Sequence, residues 1–109
     1  MRRIKRRYIA LQLEMDVAPG EREFMDEVWK YLTRMYGEYG ASLASLALIS
    51  YDCESKLAVV RVNLDVVDNL RATLATITSL GGKPAAVHVT AVSGTIKSLQ
   101  KTKRTARVR

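Results

Sequence analysis

Few residues of this chain could do covalent chemistry. Among its 109 residues there is one cysteine, Cys53, and one histidine, His88. Nucleophilic catalysis needs an activated nucleophile with a base in reach. Cys53 stands in "YDCESK" and His88 in "AVHVT", and nothing in the sequence links them. A structural zinc would ask for about four Cys or His ligands. There is no phosphate-binding loop of the G-x-x-x-x-G-K type. The acids of "EREFMDE" fall on what should be the outer, solvated face of a helix. We therefore expect no catalytic residue, no metal site and no cofactor bound by the polypeptide.

Cationic chemistry is abundant, and it is segregated. Residues 1–7 carry Arg2, Arg3, Lys5, Arg6 and Arg7. Residues 94–109, "GTIKSLQKTKRTARVR", carry Lys97, Lys101, Lys103, Arg104, Arg107 and Arg109. Neither run contains an acid. Together they hold 11 of the 18 basic residues of a chain whose net charge is +7. Residues 8–93 keep seven basic residues against all 11 acids, a net of −4. Solubility alone would be served as well by scattered charge. Clustered charge points to a polyanion, which means nucleic acid or an acidic membrane surface.

No apolar run approaches the roughly 20 residues of a membrane span. The basic start is followed by only a short apolar stretch before Glu14 and Asp16, unlike a signal peptide. One cysteine permits no intrachain disulfide. These features favour a cytoplasmic protein without a membrane partner.

Periodicity gives the elements that must position these charges. In "RRYIALQLE", Ile9, Leu11 and Leu13 alternate with Tyr8, Ala10, Gln12 and Glu14, the pattern of a half-buried strand. Pro19 and Gly20 mark a turn. A helix is predicted from about Glu21 to Tyr36, with Phe24, Val28, Leu32 and Met35 as its apolar stripe. Trp29, flanked by Met25 and Tyr36, is expected in the core. "GEYGAS" breaks the helix with two glycines. "SLALISYD" and "LAVVRVNL" read as a hairpin around "CESK". On the latter strand Ala58, Val60, Val62 and Leu64 share one face, and Leu57, Val59, Arg61 and Asn63 the other. A second helix is predicted from about Val66 to Leu80, capped by Asp65 and ended by Gly81 and Gly82. "AAVHVTAV" is the fourth strand, with His88 on the open sheet face.

The order β-α-β-β-α-β predicts an α+β, ferredoxin-like (RRM-like) sandwich, with a four-stranded antiparallel sheet packed on two helices. Residues 1–7 would form a basic arm, 8–93 the domain, and 94–109 a short helix and basic tail. Ile96 and Leu99 could dock that helix, with Lys97 and Lys101 outward. We place the first and fourth strands at opposite edges of the sheet, so the two basic ends should flank it.

The fold does not fix the function. Acylphosphatase-like chemistry would take its arginine from a glycine-rich loop after the first strand, and "MDVAPGERE" lacks that pattern. Stacking of single-stranded RNA needs aromatics on the central strands. "LAVVRVNL" has none, and Tyr8 alone is available on the first strand. RNA contacts should therefore be made mainly to phosphates, from the basic ends.

Several stretches, taken together, carry a resemblance. "RRYIALQLE", "YGEYGASLASLALISYD", "LAVVRV" and "AVHVTAVSGTIKSLQKTK", in this order over nearly the whole chain, resemble the archaeal and eukaryotic ribonuclease P protein component 2 family. The resemblance implies a subunit of an enzyme that removes the 5′ leader from precursor tRNA. Catalysis would belong to the RNA, with its own Mg2+. The protein would bind and stabilise the RNA's catalytic domain together with ribonuclease P protein component 3, often in a two-plus-two heterotetramer, and would meet precursor tRNA only indirectly. By carry-over, Arg6, Arg7 and Tyr8 match the opening motif, and Gly94, Thr95, Ile96 and Lys97 the closing one. The expected RNA contacts are Arg2, Arg3, Lys5, Arg6, Arg7, Tyr8, Thr95, Lys97, Lys101, Lys103 and Arg104. Tyr36, Tyr39, Leu46 and Leu48 are candidates for a protein interface.

Two other functions fit parts of the sequence. A metabolite-sensing ferredoxin-like domain would explain the fold and an exposed "YGEYG" loop, but not eleven basic residues confined to the ends. Another RNA-binding ribonucleoprotein component would explain the charge, but not the motifs.

Overall fold

The alternating "RRYIALQLE" forms β1, Arg6–Glu14, and its apolar set faces inward. Ile9, Leu11 and Leu13 are all at most 1% exposed. The computed structural model describes residues 5–42 and 45–94. Within them follow α1 (Glu21–Ser42), β2 (Ala47–Asp52), β3 (Leu57–Asn63), α2 (Val67–Ala75), β4 (Ser79–Leu80), β5 (Lys83–Pro84) and β6 (Ala86–Ser93). The main sheet is four-stranded and antiparallel, in the order β2-β3-β1-β6. With its two helices it is the expected ferredoxin-like βαββαβ sandwich. The short helix predicted after Gly94 lies outside the described residues.

One face of the sheet meets the helices. Ile9, Leu11 and Leu13 of β1, Ala58, Val60 and Val62 of β3, and Val87 of β6 pack on Phe24, Val28 and Leu32 of α1 and Leu70 and Leu74 of α2. Each fully buried side chain of this size contributes about 1.5–3 kcal/mol.

Topology corrects one expectation with consequences for function. β1 is not an edge strand; it lies between β3 and β6. Each helix crossover joins two parallel strands with one strand between them. β3 fills the gap between β1 and β2, and β1 fills the gap between β3 and β6. The edges are β2 and β6.

The helices also depart from expectation in detail. A break falls at Gly37, whose φ of 76° and ψ of 169° are open essentially to glycine alone, and a further helical turn runs on to Ser42. Trp29 is not core: it is 41% exposed. The buried stripe is Phe24, Val28 and Leu32, and Trp29 lies about 100° around the helix from Val28. Met35 leaves the stripe as well, at 43% exposed. Leu64 ends the β3 pattern outside the core and starts a 3-10 turn, Leu64–Val66. Asp65 lies inside that turn, and α2 has Val66 as its N-cap with no side-chain cap bond.

α2 stops at Ala75, five residues earlier than predicted. The β-branched run Thr76-Ile77-Thr78 disfavours helix. Thr76 Oγ1 donates to the Thr73 carbonyl at 2.6 Å, closing the last turn. Gly81 and Gly82 turn the small β4–β5 hairpin instead of ending the helix, with φ of 59° and 80°. Two positive φ values in a two-residue loop are what such hairpins use.

Candidate nucleic-acid interface

The consequence of the strand order is that the two basic runs join the sheet at the same end. β1 starts there and β6 finishes there, paired antiparallel with Tyr8 opposite Ser93. Arg6 and Arg7 lie within β1 itself. Arg7 Nη1 donates to the Arg6 carbonyl at 2.9 Å. A methyl group added at Gly94 would meet Arg7 Nη1 at 3.6 Å, so the first basic run touches the start of the second. The expectation that the ends flank the sheet on opposite sides is thereby overturned.

The other end of the sheet is acidic. β1 runs from Arg6 to Glu14, and the β2–β3 turn carries Asp52 and Glu54. Asp52 Oδ1 accepts from the backbone N–H groups of Glu54 and Ser55 at 3.0 and 3.3 Å, shaping that turn. His88 stands opposite Gln12 on the open face, and its Nε2 lies 2.6 Å from Glu14 Oε2. The charge is therefore polarised along β1, which orients the molecule toward a polyanion.

Lys5 is held by its backbone, since the Leu64 N–H donates to the Lys5 carbonyl at 2.8 Å. Tyr8 is half-buried on the open face of the sheet. It pairs with Arg61, and Arg6 with Asn63, across β1 and β3. Arg2, Arg3, Thr95, Lys97, Lys101, Lys103 and Arg104 lie outside the described residues.

The residues considered for a protein interface are scattered. Leu46 and Leu48 are half-buried against the main core beside β2. Tyr36 also packs on it, and its hydroxyl donates to the Asn69 carbonyl of α2 at 3.3 Å. Tyr39 follows the Gly37 break, and its side chain lies outside the described residues.

Cys53 and His88 are not brought together. Cys53 Sγ reaches the Pro19 carbonyl at 3.6 Å, and His88 reaches Glu14. Glu27, expected on a solvated face, instead accepts the Gly81 N–H at 2.6 Å and pins the β4–β5 turn to α1. Tyr31 reinforces the clasp by donating to the Ser79 carbonyl at 3.2 Å. Only the chain's tertiary course places a glycine turn over that helix face, and no local pattern signals it.

Comparison with known proteins supplies the relationship. A sequence profile of the Rpp14/Pop5 family matches residues 7–103. The chain belongs to the Rpp14/Pop5 family. It is similar to ribonuclease P protein component 2 of Pyrococcus abyssi, 36% identical over 91% of this chain and 84% of that protein. The same-named protein of Thermococcus gammatolerans is 38% identical over 91% of this chain and 82% of its own length. Among solved structures, a chain of yeast ribonuclease MRP matches with a TM-score of 0.71 at 16% identity, covering all of this chain and 99% of that one. This last likeness shows a shared fold. The matched segment runs from Arg7 to Lys103, so the Rpp14/Pop5 pattern takes in part of both basic runs.

Proposed function

We propose that this chain is the component 2 protein of ribonuclease P. It is a non-catalytic subunit that supports the RNA in removing the 5′ leader from precursor tRNA. The observation that carries this is that Arg6 and Arg7 stand beside Gly94, from which the second basic run continues, at one end of the sheet in a chain of the Rpp14/Pop5 family. Folded RNA repels itself, and clustered Arg and Lys offset that repulsion while releasing counterions.

The basic end binds the catalytic domain of the RNA. Lys5, Arg6, Arg7 and Tyr8 act from the sheet, and Arg2, Arg3, Thr95, Lys97, Lys101, Lys103 and Arg104 from the flanking segments. Residues 1–7 and 94–109 thus serve as arms of the domain at 8–93. Tyr36, Tyr39, Leu46 and Leu48 contribute to a protein interface with component 3, in a two-plus-two assembly. The complex works in the cytoplasm, and Mg2+ is used by the RNA.

The test is the magnesium requirement of reconstituted ribonuclease P. Adding this chain with its partner protein should lower the Mg2+ concentration needed for half-maximal cleavage. An unchanged requirement would refute the supporting role.

A further inference from the structure

The open face of the sheet carries a second feature beside the basic end. Tyr8 stands on the central strand β1, directly across from Arg61 of β3. Arg6 shares their face one pair further along, opposite Asn63. Around them the side chains are small: Ala47 is opposite Arg61, and Ala91 is opposite the buried Ala10. Tyr8, Ile49 and Ala91 pack on the pair Ala10 and Val59. The open face thus sets one aromatic ring beside one guanidinium, with Ile49 and Ala91 covering Ala10 and Val59 next to them.

Two observations say what covers it. Arg61 Nε is shut off from solvent and has no hydrogen-bond partner among the described residues. An unmet donor on a charged group costs free energy unless an acceptor arrives. The charge around it is also mainly positive. The strand segments at this end, residues 5–10, 46–49, 59–63 and 90–94, contain Lys5, Arg6, Arg7 and Arg61 and no acid, and Asp65 follows in the turn beyond β3. A guanidinium matches a phosphate in a paired, planar geometry. A base stacks on any exposed aromatic face, whatever its sequence.

We propose that this face binds a single-stranded ribonucleotide segment. One base stacks on Tyr8, and its phosphate is held by Arg61 with Arg6 beside it. One aromatic replaces the two or three of the common RNA-recognition modules, and arginines supply the rest. The inference rests on the RNA-binding function proposed above and adds a site to it. Of the basic ends it uses only Arg6, and it holds a base as well as phosphate.

The test uses the full chain and a short unstructured oligoribonucleotide, over a salt series. Tyr8→Ala should weaken binding about thirtyfold, the middle of the range for losing one stacked base. Tyr8→Phe keeps the ring and should stay within about twofold of wild type. Arg61→Gln should lower the slope of log K against log salt by about 0.7, the value for one phosphate on a single strand. Tyr8 packs on Ala10 and Val59, so Tyr8→Ala also removes packing from the fold. Photocrosslinking of unmodified protein to 4-thiouridine RNA avoids substitution and should label the Tyr8 and Arg61 peptides. Crosslinks confined to other peptides would overturn the site. So would wild-type affinity and slope in Arg61→Gln, including the case where that variant loses a protein partner instead. Failure of the unmodified chain to bind any RNA would sink the function proposed above. Normal binding with indifferent Tyr8 and Arg61 variants would sink only this site.

Discussion

Tyr51→Phe removes the hydroxyl's hydrogen bonds and leaves the packing in place. The Tyr51 hydroxyl donates to the Pro19 carbonyl at 2.6 Å, fastening β2 to the turn before α1. Its ring stacks on Phe24, with centroids 5.1 Å apart and planes 23° from parallel. Phenylalanine keeps the stack and leaves the Pro19 carbonyl with only the weak Cys53 thiol donor at 3.6 Å. The expected loss is about 1–2 kcal/mol, which lowers Tm by roughly 4–10 °C in a domain of this size. The effect should also depend on pH. Burial, with smaller contributions from neighbouring Cys53 and Glu23, pushes the Tyr51 hydroxyl from 10 up to about 12. The unfolded chain therefore ionises first. Stability from this group is whole below pH 10 and is lost as pH rises toward 12. The gap between wild type and Tyr51→Phe should narrow over that window. Donor groups of the Ser79 side chain and of the Ser79 and Thr78 backbone favour the ionised form of Tyr31 and lower its hydroxyl, but Tyr31 is common to both chains and cancels in the difference. Urea unfolding at about pH 7, 9, 10 and 11 measures the gap. A variant as stable as wild type near neutral pH, or a gap that widens above pH 10, would refute the reasoning.

Two further substitutions test the fold's special contacts. Glu27→Ala removes the acceptor for the Gly81 N–H and should cost about 1–2 kcal/mol, with faster amide exchange confined to the β4–β5 turn; unchanged Gly81 exchange would show the clasp to be idle. Gly37→Ala forces a side chain into a conformation open to glycine and should cost about 1–3 kcal/mol, measured by thermal unfolding.

The element order was legible because each element carries its own period. Ile9, Leu11 and Leu13 alternate, and Phe24, Val28 and Leu32 recur every four residues; both sets are buried. Chemistry was legible at the same level, since the charge runs are contiguous in sequence. What local pattern does not encode is which strands become neighbours. The basic ends therefore read as flanking the sheet, although the order β2-β3-β1-β6 brings Arg7 and Gly94, where the two runs join the sheet, to one end of it. The same blindness hides Tyr8 beside Arg61, which are far apart in sequence but paired across β1 and β3. Gly81 and Gly82 resemble a helix stop because glycine serves both helix ends and tight hairpins. Thr76, Ile77 and Thr78 decide between the two, since their branched side chains end α2 early. Trp29 looks like core from its size and apolar neighbours, whereas one position along a helix turns a side chain by about 100°.

The most direct measurement is binding to the catalytic-domain RNA of ribonuclease P across a salt series. Three chains would be compared: the full chain, the chain without residues 102–109, and the Arg6→Gln, Arg7→Gln variant. If both ends form one RNA-binding surface, the full chain shows a steep salt slope. Each altered chain then shows a shallower one, by roughly one unit for every phosphate it no longer neutralises. Slopes unchanged in both altered chains, or no binding even with the partner protein present, would contradict it.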